Sequence, residues 1–259
     1  MLTLFAIILV GLFLGMRHAT DPDHVIAVTT IVTRQRSVGN AALIGVFWGL
    51  GHTITIFVVG TAIILFSVAI PPRIGLSMEF SVSLMLIFLG ILNLTGIIQW
   101  INERFTPASA AVNLHTIENG AATARNEIAE PNSDRRIGFA GRIRGEIGLF
   151  QVLRPLVIGV VHGLAGSAAI ALLVLTTIHN TWWALVYLLV FGIGTIAGMM
   201  LITTAIAVPI AYTGSRFNGL SKLLATGSGL LSVGFGCFLA YQIGIVDGLL
   251  TSHPHWVPR

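Results

Sequence analysis

The residues best able to do chemistry lie in one short run, Arg17-His18-Ala19-Thr20-Asp21-Pro22-Asp23-His24. Two imidazoles and two carboxylates suit a borderline transition metal. Nitrogen donors favour nickel, cobalt, copper or zinc over calcium or magnesium, which take oxygen. The run has no thiolate, which argues against a Cu(I) or structural zinc centre. With neutral histidines it carries one net negative charge, so a divalent ion would be partly neutralised there. His52, within Gly49-Leu50-Gly51-His52-Thr53, is a further ligand candidate, because the small residues let its helix approach closely. The metal set read from the residues is therefore His18, Asp21, Asp23, His24 and His52, with Arg17 and His162 as secondary candidates.

These groups can meet only if the backbone turns between them. In a straight helix His18 and His24 are six positions apart, about 240° around the axis. Pro22 removes an amide hydrogen and disfavours helix at Asp21. Asp21 followed by Pro22 reads as an N-cap and a first helical position. The first span is thus expected as two half-helices, Leu2–His18 and Pro22–Thr33. The new helix N-terminus favours Asp21 and Asp23 as carboxylates, and Arg17 is placed to latch one of them.

The elements around the run must be membrane helices. Of 259 residues, 55% are hydrophobic and 9% charged, against roughly 25% charged in a soluble domain. Mean hydropathy is +0.90. Such a chain cannot coat a water-facing surface, and it is too apolar to be disordered. The fold class is all-α integral membrane protein, since the apolar runs are long rather than alternating. Six runs reach about the 20 residues a crossing needs. They are Leu2–Thr33, Ala41–Ala69, Phe80–Ile101, Pro155–Ile178, Trp182–Thr213 and Leu223–Val246, separated by Arg34-Gln35-Arg36, Pro71-Pro72-Arg73, His179-Asn180 and Gly214-Ser215-Arg216. Arg17, Asp21 and Asp23 are the charged residues inside them. A charge at bilayer depth costs at least about 2.5–3.5 kcal/mol, so clustering three needs a purpose.

Asn102–Gly148 is different, a polar loop with six Arg and six acidic residues. The first, third and fifth connections hold eleven Lys and Arg, and the opposite face holds Arg73 and Arg259. The positive-inside rule makes the first face cytoplasmic and both termini external. This bias explains the isoelectric point near 10.0 without nucleic acid as a partner. Cys237 is the one cysteine, so an internal disulfide or CxxC redox chemistry is excluded. The N-terminus lacks a basic n-region and is not expected to be a removable signal peptide.

The two halves look alike. Gly15-Met16-Arg17-His18 matches Gly159-Val160-Val161-His162, and Ile-Ala pairs follow at Ile26-Ala27 and Ile170-Ala171. Gly49-Leu50-Gly51 and Gly192-Ile193-Gly194 recur in the second spans, Gly90 and Gly234 in the third. The expected organisation is six transmembrane helices as two three-helix repeats, residues 1–101 and 149–259, joined by the loop 102–148. Three is odd, so the repeats are inverted, as in secondary transporters with a midplane site. His162 is the repeat equivalent of His18, in a half that has lost the acids.

Blander readings remain beside each residue. Arg17 and Asp21 at i, i+4 could be a structural ion pair. The acids and histidines of the run could be helix-breaking polar packing, and His52 and His162 interhelical hydrogen-bond partners. Asn93, Thr29, Thr30, Thr203 and Thr204 are expected to satisfy backbone or neighbours. His115, His179, His253 and His255 are expected to be solvated, and Trp182, Trp183 and Trp256 to anchor at the interface.

Leu14-Gly15-Met16-Arg17-His18-Ala19-Thr20-Asp21-Pro22-Asp23-His24-Val25 resembles the R-H-A-x-D-A-D-H-I signature of the nickel/cobalt transporter (NiCoT) family. His18, Asp23 and His24 meet its H-x4-D-H core. Trp48-Gly49-Leu50-Gly51-His52-Thr53 resembles its G-H-[ST] segment, and with His162-Gly163-Leu164-Ala165-Gly166-Ser167 the chain is most similar to the shorter, urease-accessory branch of nickel permeases. Pro22 stands where Ala is usual. The second acidic motif and two spans of the eight-span members are missing.

The resemblance implies uptake of Ni²⁺, or Co²⁺, across the cytoplasmic membrane for enzymes such as urease or hydrogenase, with the metal held at the positions of His18, Asp21, Asp23 and His24. The ion is substrate, and no prosthetic group is expected. The other partners are the lipid bilayer and nickel-enzyme maturation proteins at the 102–148 loop. Efflux of nickel or cobalt is a second hypothesis, ranked lower because that loop carries only His115. A membrane accessory factor that delivers nickel without transporting it is a third. An intramembrane metalloprotease is least supported, because the run has no HExxH.

Overall fold

The computed structural model describes residues 4–33, 35, 37–66, 71–97, 149–164, 178, 180–216, 218–251 and 254–256. The described secondary structure is helical: α1 (Leu4–His18), α2 (Pro22–Val32), α3 (Val38–Phe66), α4 (Pro72–Thr95), α5 (Leu149–Gly163), α6 (Thr181–Arg216) and α7 (Asn218–Tyr241), which runs into a π-helical turn at Gln242–Val246. Among the described residues, four stretches are long and apolar enough to cross a membrane: Val38–Phe66, Pro72–Thr95, Thr181–Tyr212 and Lys222–Val246. Phe13, Phe66, Phe88, Leu201 and Leu223 point outward and are more than half exposed. Apolar faces of this extent fit lipid rather than water, so this is an all-helical membrane protein.

The first apolar run is divided. α1 ends at His18 and α2 begins at Pro22, with Asp21 between them in extended backbone (φ −60°, ψ 144°). Pro22 occupies the first turn of α2, where a missing amide hydrogen costs nothing. At 1.5 Å per residue α2 is about 16 Å long, too short to cross alone. Ala27, Val28, Ile31 and Val32 nonetheless lie in the core, against Ala41, Ile44 and Trp48 of α3, Val82, Leu86 and Leu89 of α4, and Met199 and Ala207 of α6.

The third expected span is misplaced. The structure starts α4 at Pro72 rather than Phe80 and ends it at Thr95 rather than Ile101. The Pro71-Pro72 pair separates spans in the sequence, but proline at the first helical position starts a helix as well as ending one. Gly96, at φ 69°, supplies the left-handed residue that terminates α4. Of the fourth expected span, Pro155–Ile178, the stretch from Pro155 to Gly163 is helix, within α5. Residues 165–177, the 102–148 loop, His115, His179 and His253 lie outside the described residues.

Glycine sets the close crossings. α1 runs parallel to α6, with Gly11 against Tyr187, Gly15 against Phe191 and Thr195, and Gly198 against Met16 and Ala19. α5 runs parallel to α3, with Gly159 against Trp48 and His52, and Gly51 against Leu156 and Val160. α3 and α6 are antiparallel, through Gly49 on Ile196 and Gly192 on Thr53. α4 and α7 are also antiparallel, through Gly236 on Ser83 and Ile87 and Gly229 on Gly90.

A buried polar seam adds to the apolar core. The Thr30 hydroxyl donates to the carbonyls of Ile26 (2.8 Å) and Ser228 (3.2 Å), and Thr33 shares a hydrogen bond with the Ser228 hydroxyl (3.2 Å). Asn93 donates to the Ala225 carbonyl (2.9 Å) and the Ser228 hydroxyl (3.2 Å). Trp182 is exposed, as an interface anchor would be. The Trp256 indole N–H donates to Glu79 Oε1 at 2.9 Å and its ring covers Gly75. Cys237 is an exposed free thiol on α7.

A side chain at Gly15 or Gly159 would run into the neighbouring backbone. Gly15→Val and Gly159→Val should each cost about 1–3 kcal/mol or more of stability, read as a lower melting temperature in detergent. Gly227→Ala, with open space at its Cβ, should melt no lower than the parent.

Candidate metal centre

Four helix segments deliver imidazoles to one point. α1 presents His18 from its last residue, α2 presents Asp23 and His24 from its first turn, α3 presents His52 from its middle, and α5 presents His162 from its last turn. The break between α1 and α2 makes this possible. Instead of pointing apart, the His18 and His24 rings lie 4.7 Å apart between centroids. His52 lies 4.9 Å from His18 and 5.3 Å from His24, and His162 lies 4.4 Å from His24. All four rings are buried.

The carboxylates orient the rings. His18 Nδ1 donates to Asp21 Oδ2 at 2.7 Å, and His24 Nδ1 donates to Asp23 Oδ1 at 3.0 Å. Asp23 is shared: its Oδ2 accepts from His162 Nε2 at 3.1 Å. An ionised carboxylate only accepts, so each of these ring nitrogens carries the proton. That leaves the lone pairs of His18 Nε2, His24 Nε2 and His162 Nδ1 for another use. His18 Nε2 meets His52 Nε2 at 2.9 Å. His24 Nε2, His52 Nδ1 and His162 Nδ1 are buried and have no hydrogen-bond partner. A buried polar atom without a partner costs about 1–3 kcal/mol, and three in one cluster mark a place built for a ligand.

The donor set fits a transition ion. His18, His24 and His52 each offer a ligand atom within 4.8 Å of the others, and so do Asp23, His24 and His162. Two ligands at right angles on metal–nitrogen bonds of about 2.0–2.1 Å are about 2.9 Å apart. This is the His18–His52 separation. Right-angled nitrogen and oxygen donors suit Ni(II) and Cu(II). Trp48 walls the cluster, stacked on His24 at 6.1 Å and edge-on to His162 at 5.3 Å. Phe191 stacks on His18 at 5.8 Å.

Two expectations change. Arg17 does not latch a carboxylate. It is exposed, and among the described residues Asp21 pairs with His18 instead. The i, i+4 pairing needs a continuous helix, and the helix stops at His18. The carboxylates thus face imidazoles rather than the Arg17 guanidinium, which leaves their charge directed at the cluster. Asp21 holds the N-cap position of α2 but makes no capping side-chain bond, because its carboxylate is turned back to His18. Trp48 was absent from the sequence-derived set. Its position four residues before His52 places both on one face of α3, which is the signal that could have found it.

The model of a family described as high-affinity nickel-transport protein (NicO) matches residues 4–246. The chain belongs to the NicO family. It is similar to the urease accessory protein UreH of Bacillus sp. (strain TB-90), 32% identical over 246 residues that cover 95% of each chain. No solved structure matches. NicO membership makes nickel the cargo and transport the activity. The described histidine cluster lies wholly within the NicO match.

Because Trp48 stacks on His24, nickel entering the cluster should quench its emission. Titrating purified protein with Ni²⁺ should reduce tryptophan fluorescence, and Trp48→Phe should remove that component while leaving the emission of the other tryptophans. Equal quenching in Trp48→Phe would place the ion elsewhere.

Proposed function

We propose that this NicO protein is a secondary permease that takes up Ni²⁺, with Co²⁺ as an alternative cargo, across the cell membrane. The observation carrying this reading is the buried cluster in which His18, His24 and His52 bring ligand nitrogens together behind the Asp21 and Asp23 hydrogen bonds. In it His18, His24 and His52 are nitrogen ligands. Asp21 and Asp23 balance the charge and fix the tautomers, a carboxylate–histidine arrangement that holds metal ligands in place. An inside-negative potential favours inward movement of a divalent ion by about 4.6 kcal/mol per 100 mV, from about 2.3 per charge.

The architecture proposed is six spans in two inverted three-helix repeats. Its support is the reciprocity of the glycine crossings. Gly15 of α1 meets α6 at Phe191 and Thr195, while Gly159 of α5 meets α3 at Trp48 and His52. Each contact is the other with the halves exchanged. Gly49 on Ile196 and Gly192 on Thr53 repeat the exchange at the α3·α6 crossing. A pseudo-two-fold axis in the membrane plane, with a site at the repeat interface, is a transporter arrangement. Arginine bias puts the 102–148 loop in the cytoplasm and both termini outside. The likeness to a urease accessory protein supports a role in supplying nickel to a urease-type enzyme, with the loop as docking surface for maturation proteins.

His18→Ala and Asp23→Ala should abolish uptake of radioactive nickel while protein still reaches the membrane; undiminished uptake refutes the site. Expression in a nickel-sensitive host should worsen nickel toxicity, and relief of toxicity would reverse the direction to export. Deleting residues 105–145 should leave uptake intact and impair maturation of the nickel enzyme.

A further inference from the structure

The donors of the cluster fall into two sets, each with its ligand atoms within 4.8 Å of one another. His18, His24 and His52 form one, and Asp23, His24 and His162 form the other. His24 is common to both, with its ring 4.7 Å from His18, 5.3 Å from His52 and 4.4 Å from His162. The two sets also differ chemically. The first offers three nitrogens, and the second offers two nitrogens and a carboxylate oxygen.

The helices that carry them arrive from opposite directions. α1 is parallel to α6, α5 is parallel to α3, and α3 is antiparallel to α6. α1 and α5 are therefore antiparallel, and each ends at the cluster with its histidine, His18 or His162. His162 keeps an unpartnered buried Nδ1, although the loss of acids from its own half leaves it to borrow Asp23 across the interface.

We infer that the site contains two overlapping nickel positions that share His24, and that His162 is the ligand of the second. This rests on the proposed metal site above. An ion enters the His18–His24–His52 position, where Asp23 only orients His24. It then moves to the second position by exchanging His18 and His52 for an Asp23 oxygen and His162, with His24 bound throughout. Each position is incomplete enough to let go, which permeation through a binding site requires. On the proposed topology, α1 enters from outside and α5 from the cytoplasm, so the second position is the one that releases inward.

The test uses the full-length protein, with Ni²⁺ binding measured calorimetrically in detergent and nickel uptake measured in proteoliposomes. His162→Asn and His162→Gln, which keep a polar group of similar size, should change equilibrium nickel affinity by less than about tenfold, below the range for disturbing a metal-ligand shell. Uptake should fall by more than about tenfold in both. X-ray absorption should show the bound nickel keeping its histidine ligands. His24→Ala should lose both binding and uptake. If His162→Asn and His162→Gln transport at the parent rate, or lose binding as fully as His24→Ala, there is one position or His162 is not part of the path, and the inference falls. If instead His24→Ala still binds and transports nickel, the metal site itself is wrong, a different failure from the first.

Discussion

The arrangement depends on one interruption of hydrogen bonding. Pro22 cannot donate an amide hydrogen, and Asp21 stands in extended backbone before it. A continuous helix would hold His18 and His24 on different sides. The break turns α2 so that His24 swings toward His18 and the freed Asp21 carboxylate folds back onto the His18 ring. Charge burial, ring orientation and access to neighbouring helices all follow from that turn. The half-buried carboxylates are tolerable because each accepts imidazole hydrogens rather than facing hydrocarbon unpaired.

Glycine does the complementary work. Four imidazoles can come within 4.4–5.3 Å of their neighbours only if their helices nearly touch. Gly15, Gly51 and Gly159 allow that approach one turn or less from His18, His52 and His162. The same residues that make the crossings close therefore also set the spacing of the donors.

Much of this was legible before any coordinates. The proline break, the half-helices and the placing of His18 and His24 on one side follow from local stereochemistry, which sequence carries directly. The start of α4 did not, because Pro-Pro is compatible with both an ending and a beginning. Arg17 misled because i, i+4 spacing was applied across a helix end. The pairing of His162 with Asp23 was beyond reach: the residues are 139 positions apart, and only the packing of α5 beside α3 brings them together. Trp48 was hidden for a similar reason, since one tryptophan in an apolar helix looks like any other core residue.

The hydroxyl seam at Ser228 has a mechanical meaning. Thr30 and Thr33 tie α2 to α7, and Asn93 ties α4 to the same point. Inside a bilayer such ties contribute about 0.6–2 kcal/mol each, and no water is at hand to replace them. α1 meets α6 differently, with Gly15 against the backbone of Phe191 and Thr195 and Gly198 against Met16 and Ala19. The seam thus fastens α2, α4 and α7 into one group at Ser228, so the short helix is held by its neighbours rather than by its own length.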